Sequence, residues 1–291
     1  MSQQQPSQLE LQPTPKPFMT GVLFPTIFIF VTLLITQLIF IKSLPLYNVI
    51  TETSLQIAPF GNSPVGQAGF SVLYLGISIL AIFGIIYTTR QKIKDKMFYI
   101  IAPAFLFAAI SAADTIFYYV SQPVIDGILS VTWLLYVVSA YEKIPTLFTL
   151  PFITIFSILT GITLTIMLPA FTILSLLLGF SLWDIYAVFR GPMIKLATTM
   201  LRARRSKYLF LAKIGRSHLG IGDLMFYSVL TSFASIFGVA IGMQTIAFIT
   251  IGFFITMWLL SKGKYRALPA LPAPILLGIM GFLLAANGLF I

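Results

Sequence analysis

Two apolar stretches decide the fold, because each is long enough to span a membrane and each contains one aspartate. Residues 169–189 have the sequence PAFTILSLLLGFSLWDIYAVF, and residues 218–241 have the sequence HLGIGDLMFYSVLTSFASIFGVAI. An ionisable side chain at membrane depth costs roughly 2.5–3.5 kcal/mol or more, so such residues are rare and usually functional. Asp184 and Asp223 are therefore the first candidates for a functional site.

The composition of the whole chain is that of a multi-pass membrane protein. Its 291 residues are 58% hydrophobic and only 9% charged, and its mean hydropathy is +0.98. A soluble domain would need far more charge to cover its surface. The lack of cysteine excludes disulfides, thiolate metal sites and a cysteine nucleophile, and the single histidine leaves little scope for a zinc site. We expect no metal and no other cofactor.

The basic residues indicate membrane topology rather than nucleic-acid binding. The net charge is +10, but the lysines and arginines lie in short connections between apolar stretches, where they favour the cytoplasmic side and anionic lipid headgroups. The chain is predicted to have a disordered polar tail over residues 1–17, five helices over residues 18–168, and four helices over residues 169–291. A basic loop over residues 190–217 lies within the last part.

A membrane-spanning helix needs about 20 apolar residues. On that rule the sequence predicts an all-α fold with about nine spans, which are Phe18–Ile41, Ala68–Thr88, Met97–Val120, Val124–Ala140, Thr146–Leu168, Pro169–Phe189, His218–Ile241, Met243–Leu260 and Pro272–Phe290. The fifth and sixth spans adjoin directly, with only Leu168-Pro169 as a break, which predicts a tight hairpin.

The orientation follows from the positions of lysine and arginine. The connections after spans two, four, six and eight are basic, whereas Lys42 is the only lysine or arginine in the other connections. This bias predicts a cytoplasmic N-terminus and an outside C-terminus. At 1.5 Å per residue, Asp184 and Asp223 then lie at one level, about 9 Å and about 8 Å from the cytoplasmic edge.

Two carboxyl groups at one level on neighbouring antiparallel helices predict a catalytic pair. When such groups lie a few ångströms apart they do not both ionise, so the pair holds one proton. The ionised member can then act as general base on a water, and the protonated member can donate to a carbonyl oxygen. The alternative is that each aspartate only bonds a polar neighbour between helices.

Two further segments indicate close approach of the backbone at this level. Gly220 and Gly222 precede Asp223 and remove side chains, so that another chain can come near. Residues 267–274 have the sequence ALPALPAP, and their three prolines deny the backbone its helical hydrogen bonds. Irregular backbone at membrane depth is tolerated only against protein or a water-filled cavity, so this proline run is predicted to form a cavity wall level with the aspartates, the alternative being a plain loop-to-helix entry.

These motifs resemble those of the presenilin and signal peptide peptidase family. Residues 220–228, GIGDLMFYS, are similar to its Gly-x-Gly-Asp motif, and residues 267–272, ALPALP, are similar to its Pro-Ala-Leu motif in the presenilin version. In the family a tyrosine precedes the first aspartate, whereas here Trp183 precedes Asp184, so a role for that hydroxyl does not transfer. The long acidic insert that presenilin carries after span six is absent, and the chain looks like a microbial, archaeal-type homologue.

The resemblance implies an intramembrane aspartyl protease in which Asp184 and Asp223 activate a water. Gly220, Gly222, Trp183, Pro269, Ala270 and Leu271 would support substrate and active site. The implied substrates are single-span membrane proteins with an outside N-terminus, and obligate accessory subunits are not implied. The alternative is a proton-coupled transporter or an ion channel that uses the same carboxylates. We expect Asp114 to make a structural hydrogen bond or to face a wet outer cavity, and His218 to be a boundary residue.

Overall fold

The computed structural model describes most of the chain, namely residues 19–53, 56–57, 61, 63–90, 94–116, 122–141, 149–191, 211–214, 217–262 and 268–288. Within those ranges the protein forms nine α-helices and one two-stranded sheet. The elements are α1 (Phe24–Glu52, after a π-helical turn over Met19–Leu23), α2 (Pro64–Arg90), α3 (Lys94–Ile116), α4 (Gln122–Tyr141), α5 (Leu150–Met167), α6 (Ala170–Phe189), β1 (Leu211–Ile214), β2 (Ser217–Gly220), α7 (Ile221–Ile236), α8 (Val239–Ser261) and α9 (Pro272–Ala286).

The predicted polytopic helical fold is confirmed, and the chain is a multi-pass integral membrane protein. Among the described residues, four helices are long and apolar enough to cross a membrane, over Gly21–Glu52, Leu150–Met167, Ala170–Phe189 and Val239–Ser261. The helices α7 and α9 are apolar but have only 16 and 15 residues. Because a span needs about 20 residues, both leave room at one end for non-helical backbone. The orientation of the termini stays a prediction.

Several helix ends differ from the predicted spans. The first predicted span stops at Ile41, whereas α1 continues through Pro45 to Glu52. The seventh predicted span, His218–Ile241, is longer than α7, because residues 217–220 form β2 and the helix ends before Phe237 and Gly238. Hydropathy identifies the residues that can lie within the apolar core of the membrane. It does not show that a helix continues beyond this core, or that an apolar residue belongs to a strand.

A short antiparallel hairpin precedes α7, and the sequence analysis did not predict it. Leu211 pairs with Gly220, and Ile214 pairs with Ser217, at the two ends of the sheet. Residues 211–214 belong to the predicted basic loop, most of which lies outside the described residues. The strand β2 passes directly into α7, so the hairpin ends three residues before Asp223.

The helix α7 lies at the centre of the C-terminal part. It packs against α1, α5 and α8, and every residue from Tyr227 to Ser235 is buried. Polar side chains hold it there, since Thr36 of α1 lies 3.3 Å from the Ser228 hydroxyl. Hydroxyl bonds of this kind between helices stabilise a bundle in a solvent that offers polar groups no other partner.

Candidate functional site

Asp184 lies near the end of α6 and is partly exposed. Its Oδ2 accepts a hydrogen bond of 3.0 Å from the backbone N–H of Leu271. Leu271 is the N-cap of α9, whose first turn contains Pro272 and Pro274, and the described residues just before it, with Pro269 among them, are not helical. The first N–H groups of a helix have no acceptor within the helix, and the N-terminus of its dipole favours negative charge. The Asp184 carboxylate therefore lies at the positive end of α9.

Asp223 occupies the equivalent place on α7. It is the third residue of that helix, and its Oδ2 accepts a hydrogen bond of 3.2 Å from the Gly220 N–H. This is half of a capping box, in which the acid of the first turn bonds back to the N-cap backbone. Asp223 thus has a structural role as a cap, and this role leaves its second carboxylate oxygen available.

The two helices that carry the carboxyl groups pack side by side, since α6 contacts α7. One turn from the carboxyls on each helix, the rings of Phe180 and Phe226 lie 4.6 Å apart between centroids. Side chains three or four residues apart share one face of a helix, so this aromatic contact fixes the same two faces that carry the aspartates.

The Pro-Ala-Leu segment lies beside the Asp184 carboxyl group. Leu271 is buried, and Pro269 and Ala270 are partly exposed. Gly252 of α8 allows this approach, because a Cβ built there would lie 2.6 Å from the carbonyl oxygen of Ala273. The predicted site residues Pro269, Ala270 and Leu271 thus lie next to Asp184, whereas residues 263–267, which include Ala267, are outside the described residues.

The two glycines before Asp223 have different surroundings. A Cβ added to Gly220 would lie 2.8 Å from Asp223 Oδ2, so a side chain there would meet the carboxylate. Gly222 is exposed, and a Cβ added to it would have no neighbour within 4 Å. The lack of a side chain at Gly220 therefore leaves room for the Asp223 carboxylate, whereas Gly222 lies next to open space.

Tyr227 is a site residue that the sequence analysis missed. Its hydroxyl donates a hydrogen bond of 2.6 Å to the carbonyl of Ala270. The signal was its position four residues after Asp223, which places both side chains on one face of α7. The partner of the hydroxyl is a backbone atom 43 residues away, and no pattern in the sequence identifies such an atom.

The remaining candidate residues have other surroundings, as far as the structure describes them. Trp183 packs its ring 5.5 Å from that of Tyr186 on the same helix. Asp114 is partly buried on α3, which packs mainly on α5 and α4. His218 lies in β2 opposite Lys213, and the side chain of Asp126 is outside the described residues. Over the described part of the chain, no group of three or more His, Cys, Asp or Glu could hold a metal ion.

Comparison with known proteins gives the following matches. Residues 212–289 match the Presenilin family model. Presenilin-B of Dictyostelium discoideum is 32% identical over 114 residues, which are 37% of this chain and 24% of that protein. The chain thus spans about a quarter of the length of this relative. A solved structure described as a presenilin family intramembrane aspartate protease aligns with 90% of this chain and 99% of its own, with a TM-score of 0.63 at 16% identity.

Proposed function

We propose that this chain, whose residues 212–289 match the Presenilin family model, is an intramembrane aspartyl protease that uses Asp184 and Asp223 to hydrolyse peptide bonds in membrane-spanning helices. One observation carries the proposal: Asp184 and Asp223 lie on two helices that pack together, Asp184 bonded to the Leu271 N–H at the start of α9 and Asp223 next to the exposed Gly222. A pair held only for packing has no need of open space next to it.

The proposed reaction needs one water and the two carboxyl groups. The ionised aspartate takes a proton from the water, whose oxygen attacks the carbonyl carbon of the scissile bond. The protonated aspartate donates to the carbonyl oxygen, which gives a tetrahedral gem-diol. The aspartate that took the proton from water then transfers it to the amide nitrogen, and the C–N bond breaks. One hydroxyl of the gem-diol returns its proton to the other aspartate, which yields a carboxylic acid and an amine and leaves the pair with its single proton.

The proposed substrates are single-span membrane proteins, whose peptide bonds are hidden while the span stays helical. A substrate helix must unwind near the site, and its freed N–H and C=O groups then need partners. The β1–β2 hairpin ends three residues before Asp223, so its edge can accept an added strand next to the carboxyl pair. A second segment proposed for such pairing is residues 262–271, of which 263–267 lie outside the described residues.

The orientation proposed from the basic connections places the site near the cytoplasmic face. Substrates with an outside N-terminus would then release their C-terminal fragment into the cytoplasm. The chain alone carries both aspartates, the glycines and the Pro-Ala-Leu segment. We therefore propose that it works without an accessory subunit.

The direct test is incubation of the purified chain with a single-span substrate in liposomes. We expect peptide release that is blocked by a hydroxyl-bearing transition-state mimic of aspartic proteases, because its hydroxyl takes the place of the water between the carboxyls. Mass spectrometry should place the new termini within the apolar span of the substrate. An intact substrate, together with proton or ion flux across the same liposomes, would support the transporter or channel instead.

A substitution at Gly222 should reduce substrate access without harming the fold. Because a Cβ there meets nothing within 4 Å, Gly222→Leu should unfold at the wild-type temperature. Its side chain would fill the space beside Asp223, so we expect kcat/KM to fall about tenfold, which corresponds to roughly 1.4 kcal/mol. The matched control is Gly127→Leu in α4, another helical glycine with open space around it. Equal kcat/KM values for the two variants would contradict substrate entry at Gly222.

A further inference from the structure

We propose that Tyr227 is a positioning residue for the peptide hydrolysis proposed above, and this inference rests on that function. Its hydroxyl holds one peptide unit of the Pro-Ala-Leu segment, and that peptide unit orients the Asp184 carboxylate. The tyrosine thereby links α7, which carries Asp223, to the carboxyl group on α6.

The Tyr227 side chain is held in place by its surroundings. Tyr227 is 0% exposed, and its ring meets that of Phe253 of α8 edge to face, with 6.3 Å between centroids. A hydroxyl buried without a partner is costly, and this hydroxyl donates to Ala270 O at 2.6 Å. The side chain therefore has one position, and that position is defined by the Ala270 carbonyl.

The hydrogen bonds of Tyr227 and Asp184 share one peptide unit. The Ala270 carbonyl and the Leu271 N–H belong to the same peptide group, which is planar and trans. Its two polar groups point to opposite sides, so Tyr227 holds the oxygen while Asp184 accepts from the nitrogen. Rotation of this rigid plane would move both contacts at once. The peptide group is thus a bridge between α6 and α7.

The hydrogen bond of the Tyr227 hydroxyl indicates a positioning role and not a catalytic one. The Tyr227 hydroxyl bonds the same peptide group whose N–H bonds Asp184, and Tyr227 lies one turn after Asp223 on α7. The hydroxyl has a single proton, and that proton is already donated to Ala270. Tyr227 is therefore not the general acid of the reaction. Its contribution is to keep the Leu271 N–H directed at Asp184.

The test compares Tyr227→Phe with Tyr136→Phe. Both substitutions remove only a hydroxyl from a fully buried tyrosine, but Tyr136 lies on α4 against Phe152 of α5, away from the two aspartates. For Tyr227→Phe we expect kcat to fall about tenfold or more, as a lost hydrogen bond to a buried group predicts, with KM nearly unchanged. The acid limb of the pH–kcat profile should move as well, since Leu271 N–H is a direct partner of Asp184. The control should keep the wild-type kcat and profile.

A double-mutant cycle tests the bridge without any substrate. Tyr227→Phe and Asp184→Ala each release one side of the same peptide group, so their shifts in Tm should not add. Additive shifts would overturn the bridge, and so would a wild-type kcat and pH profile in Tyr227→Phe. A fall in kcat that only follows a lower Tm would also overturn it, in favour of a structural role. If the wild-type chain itself releases no peptide, the proposed function fails and the catalytic role of Tyr227 fails with it, whereas the cycle still decides the bridge.

Discussion

Asparagine in place of either Asp184 or Asp223 is expected to abolish peptide release while the protein stays folded. Asparagine has the shape of aspartate but neither ionises nor donates a proton as an acid, and each member of the pair serves both as base and as acid. We therefore expect turnover to fall at least about 10³-fold in each single variant, within the range that general acid–base groups contribute. The amide oxygen of asparagine can still accept from Leu271 N–H or Gly220 N–H, so both helix N-termini keep their partner.

Purified variants in liposomes give the measurement, with peptide release and Tm recorded side by side. The matched control is Asp114→Asn, which changes an aspartate on α3, a helix that packs mainly on α5 and α4. This control should retain wild-type turnover. Measurable turnover in Asp184→Asn or Asp223→Asn would defeat the assignment, as would an equal loss of activity in Asp114→Asn.

Alanine at Gly161 is expected to destabilise the protein and to impair the site from a distance. Gly161 lies on α5 where that helix crosses α7, and a Cβ there would lie 2.6 Å from Ser228 Cβ. It would also lie 3.0 Å from the Met225 carbonyl oxygen and 3.1 Å from the Val229 nitrogen. Backbone atoms do not rotate away as a side chain does, so the two helices must separate. Overpacking of this kind costs about 1–3 kcal/mol.

The separation would also lengthen two hydrogen bonds that hold α7. One turn to either side of Gly161, the Ser157 hydroxyl donates to Ile221 O at 3.4 Å and the Thr165 hydroxyl donates to Val229 O at 3.2 Å. Ile221 is the first residue of α7 and lies two residues before Asp223. We therefore expect Gly161→Ala to lower both the Tm and kcat.

The control for Gly161→Ala is Gly127→Ala. Both exchanges replace a helical glycine by alanine, which favours the helix by about 1 kcal/mol in water, but a Cβ at Gly127 has nothing within 4 Å. The difference in Tm between the two variants therefore measures the contact with α7 alone. If both variants unfold at the same temperature, the close crossing of α5 and α7 is wrong.

The sequence predicted the helices well because the cost of burying polar groups in lipid acts on every residue of a span. It predicted Leu168 and Pro169 as a tight break, and α5 and α6 are indeed joined by these two extended residues. The hairpin before α7 was not predicted, because an apolar residue such as Leu219 fits a strand as well as a membrane-spanning helix. The length of α1 was not predicted either, since Lys42 and Ser43 leave the apolar pattern without ending the helix.

The two aspartates were predictable for the same reason, because each is a costly exception in an apolar stretch. Their supporting contacts were not predictable. The partners of Asp184 and Tyr227 are backbone groups of Leu271 and Ala270, at separations of 87 and 43 residues. Every residue carries such groups, so only the packing of α6, α7 and α9 decides which of them meet. The position of Gly222 beside open space likewise depends on which helices lie near it.

The central claim is that the carboxyl groups of Asp184 and Asp223 meet at one place, and engineered cysteines test it most directly. The chain has no cysteine of its own, so a pair made by Asp184→Cys and Asp223→Cys is the only target for a short bifunctional thiol reagent. The control pair is Tyr186→Cys with Asp223→Cys. Tyr186 is 52% exposed and lies two residues along α6, which turns its side chain to roughly the opposite face. Efficient crosslinking at 184 and 223 with little at 186 and 223 is the predicted result, whereas equal crosslinking of both pairs, or crosslinking of the control alone, would contradict the account.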